Sequence, residues 1–295
     1  MRTVLALVLS SSLVTALGGC AIIVANGPDG DVSVRTPFSS DGVQGDGVLA
    51  RDQRTVGTVA GLEANGSVLV DVRVGPAASL VVEADSNLLS LVRTDVRTDV
   101  RGDTLVVEMA RGYRSSNPVR VTYTVPRLAE VRHSGSGQLS VQGLNGGALR
   151  VVQSGSGSTL LTGRVADLDV TGSGSGSVDA STLRSAGANL SMNGSGRINV
   201  GEVRGDHASA TLTGSGQLRA GGSVRSLTAR STGSGHLDLV DLVSEQADLT
   251  STGSGGLTAN VKQSLVAQNG GSGGIRVYGN PAQRSVNGKL VQIVN

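Results

Sequence analysis

Residues Ala188-Asn189-Leu190-Ser191-Met192-Asn193-Gly194-Ser195-Gly196-Arg197-Ile198-Asn199-Val200 carry the pattern that decides the fold. A Gly-Ser-Gly turn separates two short stretches in which aliphatic residues alternate with polar ones. The tripeptide begins at Gly135, Gly155, Gly172, Gly194, Gly214, Gly233, Gly253 and Gly271. The interval is shortest between Gly155 and Gly172, longest between Gly172 and Gly194, and nearly constant elsewhere. So regular a period marks one small unit stacked repeatedly.

Alignment on the glycines brings out the interior. Two residues after the tripeptide stand Leu139, Val178, Ile198, Leu218, Leu237, Leu257 and Ile275, and two further on Val141, Ala180, Val200, Ala220, Leu239, Ala259 and Val277. Four residues before it come Val151, Leu168, Leu190, Ala210, Ala229, Leu249 and Ala267; six before it Leu149, Ala166, Ala188, Ala208, Leu227, Ala247 and Leu265. All are aliphatic, and their period of two is that of a strand with one buried face. Each coil is therefore expected to hold two inward-facing strands joined by the glycine turn at one corner and a variable loop at the other. At about 4.8 Å per coil, eight coils extend roughly 38 Å. Register is expected to slip at residues 158–162, and the doubled run Gly172-Ser173-Gly174-Ser175-Gly176 to bulge one corner.

Composition agrees with a slender all-β interior. Among 295 residues there are 44 glycines, one Phe, three Tyr and no Trp, so the bulky aromatic area of an ordinary core is missing. With 25 basic and 23 acidic residues the net charge is +2. Without a basic block or bases' stacking partners, a nucleic-acid partner is not expected.

The first residues read as an export signal. Arg2 supplies the positive end, residues 4–9 and 13–17 the apolar run, and Leu17-Gly18-Gly19-Cys20 fits a bacterial lipobox. The run is too short to span a bilayer securely. Cys20 is the only cysteine, so no intramolecular disulfide can form. The likeness to bacterial lipoproteins implies cleavage before Cys20, with residues 1–19 as signal peptide, and acylation of Cys20. Ala21, in place of the aspartate that retains some lipoproteins at the inner membrane, favours the outer membrane, facing the periplasm or the exterior.

Residues 20–53, rich in Gly, Asp, Ser and Pro, read as a flexible tether containing the lone Phe38. Residues 54–295 form the domain. Within it, residues 54–132 show alternation without the glycine repeat, as in Val68, Val70, Val72 and Val74, and are expected to be irregular opening coils that cover one end of the solenoid. Residues 133–295 carry the repeats. Arg111-Gly112-Tyr113-Arg114 reads as a solvated loop or a contact patch.

Glycine at the corner suits a tight, closely stacked turn. The intervening serines, Ser136, Ser156, Ser173, Ser195, Ser215, Ser234, Ser254 and Ser272, would form a hydroxyl ladder along one edge. Such a ladder either meets a flat or extended partner such as a glycan, or simply caps turn amides; the structural role is the favoured expectation.

The Ser-Gly turns, the segment Glu83-Ala84-Asp85-Ser86-Asn87-Leu88-Leu89, the stretch Val121 to Pro126 and the ending Val277-Tyr278-Gly279-Asn280-Pro281 together resemble the bacterial head domain GIN, a domain of unknown function that carries an autotransporter-adhesin label. The resemblance spans residue 54 to the C-terminus. It implies a right-handed parallel β-helix on exported, often membrane-tethered proteins, and no established reaction. No translocating barrel follows the repeats in this sequence, so autotransport is not expected.

Chemistry finds little purchase. The outward positions between the aliphatic columns hold Ser140, Asp179, Asn199, Arg219, Asp238, Thr258 and Arg276. Asp179 and Asp238 stand three coils apart, about 14 Å, beyond the reach of paired-carboxylate hydrolysis. His133, His207 and His236 are too dispersed for zinc. The glycines lack the spacing and following helix of a nucleotide loop, and no regular aspartate follows them for calcium. The expectation is a cell-envelope lipoprotein without cofactor or enzymatic activity that binds a glycan or protein at the envelope. A structural scaffold and a carbohydrate-active enzyme are the alternatives, in that order.

Overall fold

The computed structural model describes residues 42–100 and 102–294, together with the backbone of a short antiparallel hairpin formed by Ile23–Asn26 and Val32–Arg35. The compact unit begins at Val43. It is an all-β solenoid of about eight turns with roughly 20 residues per turn, whose coils pair in parallel along the axis.

Its regular part starts with Glu130–Gly135 and Gln138–Asn145, continues through Leu149–Gly155, and then runs as the long strands Ser158–Gly174, Ser177–Gly194, Arg197–Gly214, Gln217–Gly233, His236–Ser251 and Gly256–Asn269. Each long strand pairs in parallel with the next. Ile275–Tyr278, Gln283–Gly288 and Val291–Val294 complete the stack. The second corner, expected as a variable loop, is a loop at residues 146–148 and 279–282, but in the six long strands it is a bend within a continuous strand. The ladder slips there, between Ala180 and Arg184, Val200 and Val203, Arg219 and Gly222, and Leu239 and Val243. Bulges turn the chain without ending the strand.

At the first corner, the amides of Ser195 and Gly196 both donate to the Gly174 carbonyl of the preceding coil, at 2.9 and 3.0 Å; the amides of Ser215 and Gly216 do the same to Gly194, at 3.0 and 2.8 Å. Gly194 has φ +140°, and a Cβ there would lie 2.4 Å from the Gly174 oxygen. The corner therefore requires glycine twice over, for its left-handed backbone and for the closeness of the stack.

The doubled glycine run resolves into one ordinary corner. Gly155 pairs with Gly174 and Gly174 with Gly194, so the third corner is Gly174-Ser175-Gly176 and nothing bulges. With Gly174 in place of Gly172, the corners from Gly135 to Gly271 become almost evenly spaced. Ser173 consequently leaves the ladder and Ser175 replaces it. Val170 and Leu168 are the inward residues of that coil, whereas Ala166 is exposed. The slip expected at residues 158–162 occurs on one side of the second coil: towards the preceding coil Leu139 faces Thr159 and Val141 faces Leu161 in register, whereas towards the next the ladder shifts between Leu160 and Thr162.

Residues 130–132 already belong to the regular stack, and of residues 54–129 only Gly61–Gly66 and Leu69–Val74 make a coil, with Gly66 stacked under Gly135. The rest forms a cap. Gly102–Met109 pairs in parallel with the first half of that coil and Arg120–Val125 with the second; Val92–Asp99, Ser79–Asp85 and Leu49–Arg54 then add antiparallel strands outside. Exchanging parallel for antiparallel pairing ends the solenoid, and Arg93, Asp95, Arg97 and Asp99 charge one of the final edges. Leu49–Arg54 and Val43–Gln44, assigned from composition to the tether, are paired strands of this cap. Tyr113–Arg114 pairs with Val43–Gln44 and Tyr113 packs against the core, so only Tyr113 departs from the expected solvated loop, while Arg111, Gly112 and Arg114 are exposed.

Candidate functional site

The exposed residues with the greatest order are the corner serines. Ser136, Ser156, Ser175, Ser195, Ser215, Ser234, Ser254 and Ser272 all face solvent, one per coil, and Ser67 extends the row into the coil beneath the cap. Parallel stacking sets their spacing near 4.8 Å. The turn amides already donate to backbone carbonyls, so the hydroxyls are not needed to cap them. Ser254 Oγ and Ser272 Oγ approach to 3.0 Å; the hydroxyls of Ser136, Ser156, Ser175, Ser195, Ser215 and Ser234 have no protein partner among the described residues. The capping role favoured from sequence is thus taken by the backbone itself.

A shallow groove of about 450 Å³ follows this edge, lined by Ser175, Ser195, Ser215, Ser177, Arg197 and Gln217 together with corner glycines. Arg197 Nε donates to Gln217 Oε1 at 3.1 Å, which fixes the two long side chains beside the hydroxyl row. The groove offers donors and acceptors at a repeating interval and little apolar area, an arrangement suited to a hydroxyl-rich, extended partner and poorly suited to an enclosed substrate.

Directly behind the corner lies a core column that the aliphatic alignment passes over. Two residues before each corner stand Ala64, His133, Gln153, Gly172, Met192, Leu212, Ser231, Ser251 and Asn269, all buried. More than half are polar, so their type gave no sign of burial; their constant offset from the corner did. Polarity is managed locally at His133, Gln153 and Asn269, whereas the buried Ser251 Oγ has no hydrogen-bond partner among the described residues. His133 Nδ1 is 3.0 Å from Gln153 Oε1 and 3.0 Å from Thr159 Oγ1, Gln153 Nε2 donates to the Gly157 carbonyl at 3.2 Å, and Asn269 Nδ2 donates to the Gly273 carbonyl at 2.8 Å. Burial lowers the His133 pKa, partly offset by its bond to Gln153, so the ring is held neutral. His207 and His236 are exposed elsewhere.

The outward carboxylates do not converge. Asp179 Oδ1 accepts from the Ser181 amide at 3.0 Å, while Asp238 Oδ1 accepts from Thr258 Oγ1 at 2.9 Å. Among the described residues, no group of three or more His, Cys, Asp and Glu side chains is placed to hold a metal ion. Nor is any helix there long and apolar enough to cross a membrane. Cys20 and Phe38 lie outside the described residues.

The family model described as "Putative auto-transporter adhesin, head GIN domain" matches residues 60–200 and 180–281. No curated protein matches the chain. Among solved structures, a "putative adhesin" from Parabacteroides distasonis superposes with a TM-score of 0.65 at 21% identity, covering 86% of this chain and 100% of that one. A "putative adhesin" from Parabacteroides merdae gives a TM-score of 0.62 at 19% identity over 87% of this chain and 100% of its own. A "putative lipid binding protein" from Parabacteroides distasonis gives 0.65 at 22% identity over 86% and 99%. At these identities the likeness is one of fold.

Proposed function

The chain belongs to the family "Putative auto-transporter adhesin, head GIN domain", and from that membership we propose that it is a non-catalytic adhesion module of the cell envelope, acting through the serine corner of its solenoid. The observation that supports this most is the row of exposed hydroxyls released from any duty in the turn. Hydroxyls at a fixed interval exchange hydrogen bonds with a hydroxyl-rich chain, and a partner spanning several coils gains one modest contact per coil, which add through multivalency. The partner class is an extended glycan. Acylation at Cys20 would hold the module to the outer membrane, with the segment up to Gly42 as spacer.

A glycan-array screen of the full chain in detergent tests the reading. Retention of polymeric glycans, weakened when Ser175, Ser195 and Ser215 are replaced together by Ala, supports it. Altered envelope integrity on deletion, with no glycan retained, favours a scaffold instead, and turnover of a polysaccharide by the purified chain overturns the non-catalytic reading. Cys20→Ala is expected to move the protein from the membrane to the soluble fraction.

A further inference from the structure

The bend opposite the serine corner carries a groove of different chemistry. Three consecutive coils place Arg164, Arg184 and Arg204 there, and the groove, about 390 Å³, is completed by Glu202, Val165, Ser185 and Ala186. Arg164 and Arg184 are direct ladder partners, and Arg184 in turn faces Glu202. Glu202 is shared: its Oε2 lies 2.8 Å from Arg184 Nε and its Oε1 2.6 Å from Arg204 Nε. The carbonyl of Arg164 accepts from the Gly146 amide at 2.7 Å, but its guanidinium has no ion-pair or hydrogen-bond partner among the described residues. Three guanidinium groups against one carboxylate leave the groove with a surplus of two positive charges.

Elsewhere on the domain, several arginines are matched. Arg120 meets Asp71, Arg97 meets Glu63, Arg219 meets Asp241, and Arg225 lies 3.3 Å from Asp206. Like charges directly opposite across a ladder are unfavourable, so an unmatched Arg164 beside Arg184 departs from the pairing seen at those sites. An anion entering the groove would supply the missing charge, with charge-assisted hydrogen bonds from guanidinium donors.

We propose that this groove is a binding site for an acidic saccharide, recognised through its carboxylate or phosphate oxygens. The volume is that of a small-ligand cleft, open and polar enough for a sugar carrying its own hydroxyls. A chain with one Phe, three Tyr and no Trp has almost no ring faces on which to stack a neutral sugar, so charge must carry the selectivity. Nucleic acid fits poorly for the same want of stacking platforms. The site stands at the other corner from the serine row and does not depend on how that row is read.

Isothermal titration of the full chain with tetragalacturonate, which bears carboxylates, and with mannose 6-phosphate separates the two anion sources, and neutral cellotetraose is the comparator. At least one acidic sugar is expected to bind, more weakly as salt is raised. Arg164→Glu, which breaks no ion pair, should weaken binding about tenfold, Glu202→Gln should strengthen it, and Arg276→Glu, far along the stack, should leave it unchanged. The proposal is overturned if neither acidic sugar binds more tightly than cellotetraose or if Arg164→Glu has no more effect than Arg276→Glu. It is equally overturned if anionic-lipid vesicles, and not the sugars, are bound in an Arg164-dependent manner.

Discussion

His133 Nδ1 lies 3.0 Å from Thr159 Oγ1 of the neighbouring coil, and Thr159 in turn donates to Gln153 Oε1 at 2.5 Å, so three polar side chains close a triangle inside an aliphatic core. Gln153 directs its Nε2 to the Gly157 carbonyl, which leaves Oε1 for the ring. An amide oxygen only accepts, so the proton of neutral His133 belongs on Nδ1. A second proton would place a charge on a ring that is itself buried.

Stability should therefore depend on this ring. Its pKa is lowered in the folded chain by burial, while the unfolded chain titrates near 6.5. Below that value the unfolded state binds the proton more readily, so stability is full above about pH 6.5 and declines as the pH falls towards the folded-state pKa. Urea unfolding at pH 7.5 and pH 5 should show a loss on acidification that His133→Gln reduces by up to about 2 kcal/mol. An equal loss in both proteins would remove His133 as the cause.

Adjacent positions at one corner should respond differently to alanine. Gly194→Ala sets a side chain on a left-handed backbone, with its Cβ 2.4 Å from the Gly174 oxygen; a cost of at least about 2 kcal/mol follows from the strain. Ser195→Ala removes an exposed hydroxyl with no protein partner among the described residues and should change stability by less than about 0.5 kcal/mol. Chemical denaturation of the two variants, side by side, checks both.

The stacked fold and its inner faces were legible because period-two alternation and a regularly recurring glycine turn leave few other structures. The same alternation concealed the error at the third corner. Choosing Gly172 in place of Gly174 shifts the alignment by two positions, which keeps inward residues inward, so Leu168 looked equally at home one alternation away from its true station. Only the spacing betrays it, since a short interval before Gly172 and a long one after it even out once Gly174 is the corner. The cap was less legible. Its strands alternate as the coils do, and parallel or antiparallel pairing depends on partners far apart in sequence, as when Arg120–Val125 takes Leu69–Val74 on one side and Ser79–Asp85 on the other. The arginine groove was invisible for a similar reason: Arg184 and Glu202 meet only because bulges shift the ladder at the second corner.

The cap is pinned by Asp85, a buried carboxylate from the Glu83 to Leu89 segment. It accepts from Ser115 Oγ at 2.5 Å and Asn117 Nδ2 at 2.6 Å, and the Ser115 and Asn117 bonds lower its pKa. Next to it, Asn87 Nδ2 donates to the Gln44 carbonyl at 2.8 Å, and Asn87 Oδ1 accepts from the Asp46 amide at 3.1 Å. Asp85→Ala should loosen the 43–48 and 112–117 segments together, read as faster amide exchange there, with the repeats unaffected. Because the folded pKa is lowered, wild-type protection of these segments should hold above about pH 4 and be lost as the pH falls below it.

Leu212 tests whether damage stays local in a stack of this kind. It occupies the column behind the corner, between Met192 and Ser231, and a Cβ on Gly235 of the next coil would come within 2.9 Å of its Cδ2, so the side chain fills the space beneath the turn. Leu212→Ala leaves a cavity that rigid corner glycines cannot close, at a cost of about 2–5 kcal/mol. Each coil touches chiefly its neighbours, and a solenoid's stability is close to a sum of unit and interface terms. Amide protection should consequently fall most in residues 177–233 and persist at the Gly61–Gly66 coil under the cap. Uniform loss of protection along the whole domain would instead mean that the coils unfold as one cooperative body.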